Sequence, residues 1–150
     1  MASYKVYKPS GKIFTGDKSS TKIKDIPLSL YSINSKQIAG QGGAIDETAT
    51  LYTTPSGYTF FVTHLNLEVI QRDSSGTSSA QGKIYLNGQT IIRLYSPWAQ
   101  GSVVTNSISF SQPFILRSNE TIKVYSAGTD EVAQAGYSGF LVKNSDIFSS

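Results

Sequence analysis

The sequence predicts an all-β protein: an antiparallel β-sandwich of jelly-roll type with seven or eight strands, preceded by an extended N-terminal arm. Three observations predict it. Runs of β-branched and aromatic residues recur between turn signals, with strands starting roughly every 8–15 residues. An Asn-Gly pair, Asn87-Gly88, separates two such runs. Charge is split along the chain: residues 1–36 hold Lys5, Lys8, Lys12, Lys18, Lys22, Lys24 and Lys36 against Asp17 and Asp25, a net of +5 within a total of +3.

Residues 1–48 are expected to form the arm and 49–150 the sandwich. In the arm, Tyr4-Lys5-Val6-Tyr7 and Ile13-Phe14 are apolar patches set between Pro9-Ser10-Gly11 and Gly16-Asp17. Ile26 to Tyr31 alternates after its Pro and suggests a short strand. Gly40-Gln41-Gly42-Gly43 reads as a flexible joint. An arm with aromatics between its lysines needs a surface to bury them, its own domain or a neighbour.

From Thr50 the texture changes. Leu51-Tyr52-Thr53 is a short strand and Pro55-Ser56-Gly57 a turn. Tyr58 to Ile70 alternates with a period of two. Phe61, Thr63, Leu65, Leu67 and Val69 fall on one face, Phe60, Val62, His64, Asn66 and Glu68 on the other. Asp73 to Ser79 is a polar loop. Lys83 to Leu86 and Gln89 to Tyr95 flank Asn87-Gly88, where a type I′ turn needs φ > 0 at both positions. Ser96 to Gly101 is a loop. Val103 to Phe110 is a strand, with Pro113 to Leu116 its continuation or partner. Thr121 to Tyr125 and Gln134 to Val142 complete the set. Long connections favour a jelly roll over a meander. Phe61, Leu65, Leu67, Val69, Ile84, Leu86, Ile122 and Val124 are the expected core.

Composition narrows the function. Hydrophobic residues make up 39% of the chain and charged ones 15%, with nine Tyr and seven Phe. That excludes a solvated coil and fits outer faces that are polar but uncharged. The absence of cysteine removes disulfides, thiolate metal sites and a Cys nucleophile. Met1 is followed by no apolar run of signal-peptide type, and no segment approaches the roughly 18 apolar residues of a membrane helix, so no membrane role is expected. The arm lysines are spaced out and Arg is absent before Arg72. This suits an acidic protein surface better than nucleic acid, which Arg usually grips in bidentate fashion.

Catalytic patterns are missing. His64 is the sole histidine, and nothing pairs it with a nucleophile and an orienting carboxylate. Glu68 shares its face but stands about 13 Å along an extended strand, too far to share an ion. Asp46-Glu47 and Asp130-Glu131 are the adjacent acidic pairs, and such neighbours are usually solvated in loops. Oxygen ligands around Gly128 to Glu131 are few for calcium. The chain is therefore expected not to be an enzyme and to need no cofactor or metal. Tyr95 and Trp98, beside a loop, are candidates for a ligand or subunit contact.

Three segments carry a resemblance. Leu51 to Val62 resembles the strand, Pro-x-Gly turn and long strand that open small jelly-roll virion structural proteins of tailed phages and other viruses. Ile115 to Val124 resembles their penultimate hairpin, with Ser118-Asn119 where Gly is more usual, and Gly136 to Val142 resembles their closing strand. That family includes capsid decoration proteins, head fibres and tail or baseplate components. The resemblance implies a virion location after synthesis in the host cytoplasm, other virion proteins as partners, and a homo-oligomer, a trimer first. It is consistent with an arm that grips a capsid or tail lattice through Tyr4, Lys5, Tyr7, Lys8, Lys12, Ile13, Phe14, Lys18, Lys22, Lys24 and Leu30. A carbohydrate- or receptor-binding module at a virion or cell surface is the alternative.

Overall fold

The computed structural model describes residues 17–18, 21–23, 35–45, 47–72, 80–97, 99–127 and 131–149, with side chains between residues 36 and 146. Eight strands build two antiparallel sheets. They are β3 (Ser35–Ile45), β4 (Thr48–Thr53), β5 (Tyr58–Ile70), β6 (Gln81–Leu86), β7 (Gln89–Tyr95), β8 (Val103–Leu116), β9 (Thr121–Ala127) and β10 (Val132–Lys143). The long sheet has the order β3-β10-β5-β8 and the short sheet β4-β9-β6-β7. Two small strands, β1 (Asp17–Lys18) and β2 (Thr21–Ile23), form a third sheet with β11 (Phe148–Ser149), which follows the one-turn helix α1 (Asn144–Ile147).

The pairing is nested. β3 pairs with β10, β4 with β9, β5 with β8 and β6 with β7. The chain is thus one long hairpin rolled up, which is the jelly-roll arrangement. Its pivot is Asn87-Gly88, with φ of 48° and 78°, the left-handed pair that a type I′ turn requires. Opposite turns lock the rolled end. Tyr58 N donates to Pro55 O (3.1 Å), Glu120 N to Arg117 O (3.0 Å), and Thr54 N to Glu120 O (3.0 Å). Asn119 takes φ 69° there, a conformation that Asn tolerates better than most residues and that Gly supplies elsewhere.

The core lies between the sheets. All eight expected core residues are buried, but Phe61 is not where the alternation put it. Phe60 and Val62 pack in the central cluster with Leu65, Leu67 and Val69. The register of β5 against β10 shifts here, since Val62 and His64 pair with the consecutive residues Gly139 and Ser138. Thr63 is an extra residue, and the two faces exchange across it, as at any β-bulge. Phe61 is buried on the outer side instead, in a row with Phe140 and Ile115. Tyr52, Phe60 and Tyr137 join the sheets through ring contacts at 5.0, 5.4 and 6.1 Å.

The arm boundary also differs. Residues 35–45, including the Gly40-Gln41-Gly42-Gly43 stretch expected to be a joint, form an edge strand paired with β10 along its whole length. Glycine is disfavoured in strands for want of side-chain packing. Here neighbours supply it: the Tyr137 phenol lies against Gly40 and the Leu51 side chain against Gly42, in space that a Cβ would need. Val103 to Leu116 is one continuous edge strand, and Pro113 sits on it at an irregularity, where a missing N–H costs no ladder bond. Glu131, expected in a solvated pair, is fully buried. Tyr4, Lys5, Tyr7, Lys8, Lys12, Ile13, Phe14, Lys24, Leu30 and Trp98 lie outside the described residues. Of Lys18 and Lys22 only the backbone is described.

Candidate functional site

Cross-strand register decides which side chains share an outer surface. On the long sheet the outward residues form rows across all four strands. At one end stand Ile45, Val132, Ile70 and Val103. The next row is Gly43, Gln134, Glu68 and Thr105. Then come Gln41, Gly136, Asn66 and Ser107, and after them Ala39, Ser138, His64 and Ser109. Gln37, Phe140, Phe61 and Ile115 form the far row. Three polar rows thus lie between two rows rich in apolar residues.

The first row is a continuous β-branched stripe. Its inner members, Val132 and Ile70, are shielded by their neighbours, whereas its ends, Ile45 and Val103, remain 54% and 53% exposed. The polar rows are hollow. A trough of about 770 Å³ runs over β3, β10 and β5, and a second hollow of about 300 Å³ continues it beside Thr105 and Ser107 on β8. The hollow follows from residue size: Ala39, Gly43, Gly136 and Ser138 form the low floor, with His64, Asn66, Glu68, Gln41 and Gln134 around it. His64 Nδ1 lies 3.1 Å from Ser109 Oγ, a hydrogen bond that holds the ring across the β5–β8 seam.

The short sheet presents different chemistry. Thr48, Tyr125, Lys83 and Arg93 make one row, and Lys123 pairs with Tyr85 beside it. Lys83 Nζ stands 4.9 Å over the Tyr125 ring, and the Tyr85 and Tyr125 rings are 6.5 Å apart. Tyr95 is 54% exposed at this sheet's edge and accepts a hydrogen bond from Gln81 Nε2 (2.7 Å). Tyr95, a candidate from sequence, is thus on the sheet opposite the trough.

Sequence reasoning placed His64 and Glu68 on one face but not in a shared hollow. Their partners on β3 belonged to a segment read as arm. Among the described residues no group of three or more His, Asp or Glu is placed to hold a metal ion. No described helix is long and apolar enough to cross a membrane. Between the sheets, burial raises the pKa of the Tyr137 phenol above its ordinary value. Burial, then the nearby Tyr137, does the same for Tyr52.

No protein-family model matches the chain, and no curated protein matches it in sequence. Among solved structures, a chain of the cyanophage Pam1 capsid asymmetric unit is similar, with a TM-score of 0.48 and 15% identity over 71% of this chain and 86% of that one. The Podospora anserina GH26-CBM35 β-(1,4)-mannanase is similar to a lesser degree, with a TM-score of 0.31 and 12% identity over 69% of this chain and 28% of that one.

Proposed function

We propose that this chain is a structural, non-catalytic virion protein: a jelly-roll head that packs against neighbouring subunits, with its Lys-rich N-terminal region as the anchor. The observation that carries this reading is the β-branched stripe of Ile45, Val132, Ile70 and Val103, which crosses the whole long sheet and stays exposed at both ends. An apolar row at the rim of a face whose middle rows are polar suits a contact with another protein surface. The split charge of the chain and the three segments that resemble small jelly-roll virion proteins point the same way. The partners in this reading are other virion proteins and further copies of the chain, with a trimer as the first assembly to look for. Its location is the virion, after synthesis in the host cytoplasm.

The test is particle association of the full chain, followed by sedimentation and by mass spectrometry of purified virions. Wild type should be present at a fixed copy number. The Ile45→Lys/Val103→Lys variant should lose the association while its melting temperature changes little, since both side chains are half exposed. Undiminished association of that variant would remove the stripe from the interface. A monomeric wild type absent from particles would end the reading altogether. The carbohydrate alternative is favoured by a separate observation, the polar trough.

A further inference from the structure

We infer that the trough on the long sheet binds a short neutral saccharide. The hollow of about 770 Å³ lies within the range of about 300–1,000 Å³ usual for small-ligand sites. Its walls offer amides from Gln41, Asn66 and Gln134, a carboxylate from Glu68 and an imidazole from His64. Amides both donate and accept, and a carboxylate accepts from two adjacent hydroxyls. That is the pairing a polyhydroxylated ring needs. No Lys or Arg lines the hollow, and Glu68 repels anions. Phosphate-bearing and acidic ligands are therefore disfavoured. The three polar rows hold no outward Phe, Tyr or Trp, so a flat apolar ligand would find no large ring in them to stack on.

The floor is shaped for close approach. Asn66 leans across onto the bare backbone of Gly136, where a Cβ would run into its amide oxygen. His64 uses Nδ1 on Ser109, which leaves Nε2 as the ring nitrogen for a ligand. The side chains of Gln41, Asn66 and Gln134 are exposed and that of Glu68 is half-buried, and all four line the hollow where a guest would reach them. Binding would be weak and selective, because it rests on neutral hydrogen bonds that first displace water.

The inference is independent of the assembly reading and can fail separately. The experiment is titration of the isotopically labelled full chain with neutral trisaccharides (maltotriose, cellotriose, mannotriose, chitotriose) and with trigalacturonate as the anionic control. At least one neutral sugar should shift the amide signals of Gln41, Asn66, Glu68 and Gln134, and trigalacturonate should not. Glu68→Gln and Gln134→Ala should each weaken binding about tenfold, the loss of a hydrogen bond or two. Gly136→Ala, which changes no ligating group, should weaken it too by displacing Asn66. The Ile45→Lys/Val103→Lys variant should bind sugar as wild type does. Silence with every neutral sugar would overturn the inference. So would shifts confined to the Tyr95 edge, or equal binding of trigalacturonate. If the same signals moved with protein concentration alone, the occupant would be a second copy of the chain.

Discussion

On the short sheet, the outward residues include Lys83, Arg93 and Lys123 among Tyr85, Tyr95 and Tyr125; in the three middle rows of the long sheet, they are small, hydroxyl- or amide-bearing, with Glu68 and His64. Both faces arise from the same period-two alternation over one shared core. The difference lies in what register brings together. Residues 37–150 carry a net charge of −2, which suggests a domain without electrical character. Yet the four strands of the short sheet contain no Asp or Glu, so their three cations gather unopposed. The long sheet instead collects its smallest residues over β3 and β10 and becomes concave. One face suits an anionic surface, the other a neutral guest.

The strongest way to break this contrast is at the pivot. Gly88→Val puts a β-branched side chain at φ 78° and should destabilise the fold by about 1–3 kcal/mol in urea unfolding. Amide exchange should accelerate first in β6 and β7, under the cationic face, and later in β5 and β10. An unchanged urea midpoint would remove the type I′ pivot.

A second test asks whether the faces share one core. Tyr52 belongs to the short sheet and Tyr137 to the long one, and both phenols have pKa values raised above the ordinary 10.0 by burial. Below about pH 10 both stay protonated folded or unfolded, and their packing contribution is fully present. As pH rises through 10, the unfolded chain releases these protons first, and stability falls until the folded values are passed. Tyr137→Phe should flatten that alkaline decline, and both sheets should unfold in one transition. Two separate transitions would show that the faces rest on separate cores.

The smallest effect concerns charge alone. Lys83→Gln/Arg93→Gln should elute earlier than wild type from a cation exchanger at low salt, with stability altered by no more than about 0.5 kcal/mol. Glu68→Gln should elute later. Unchanged elution of the double variant would mean that these cations do not face solvent together.

Several elements were legible because their signals are local. Asn-Gly specifies its turn by the φ values the two residues tolerate, and Leu65, Leu67, Val69, Ile84, Leu86, Ile122 and Val124 declare a buried face by alternation. β3 was not legible. Its three glycines argue against a strand, and the space they leave is taken up by residues far off in the chain: Tyr137 at Gly40, Leu51 at Gly42, and Ala133 with Gln134 at Gly43. The bulge at Thr63 was equally hidden, since nothing in Phe60-Phe61-Val62-Thr63-His64 shows where alternation reverses; it shows only in the pairing with β10.

By itself, then, the sequence determined the class of fold, its pivot and most of its core, because propensity, turn geometry and period-two burial act over a few residues. Only the tertiary structure decided the trough, the apolar stripe and the cationic face. Each is assembled across a ladder of hydrogen bonds from strands far apart in the chain, and a shift of one residue would send every member to the opposite side.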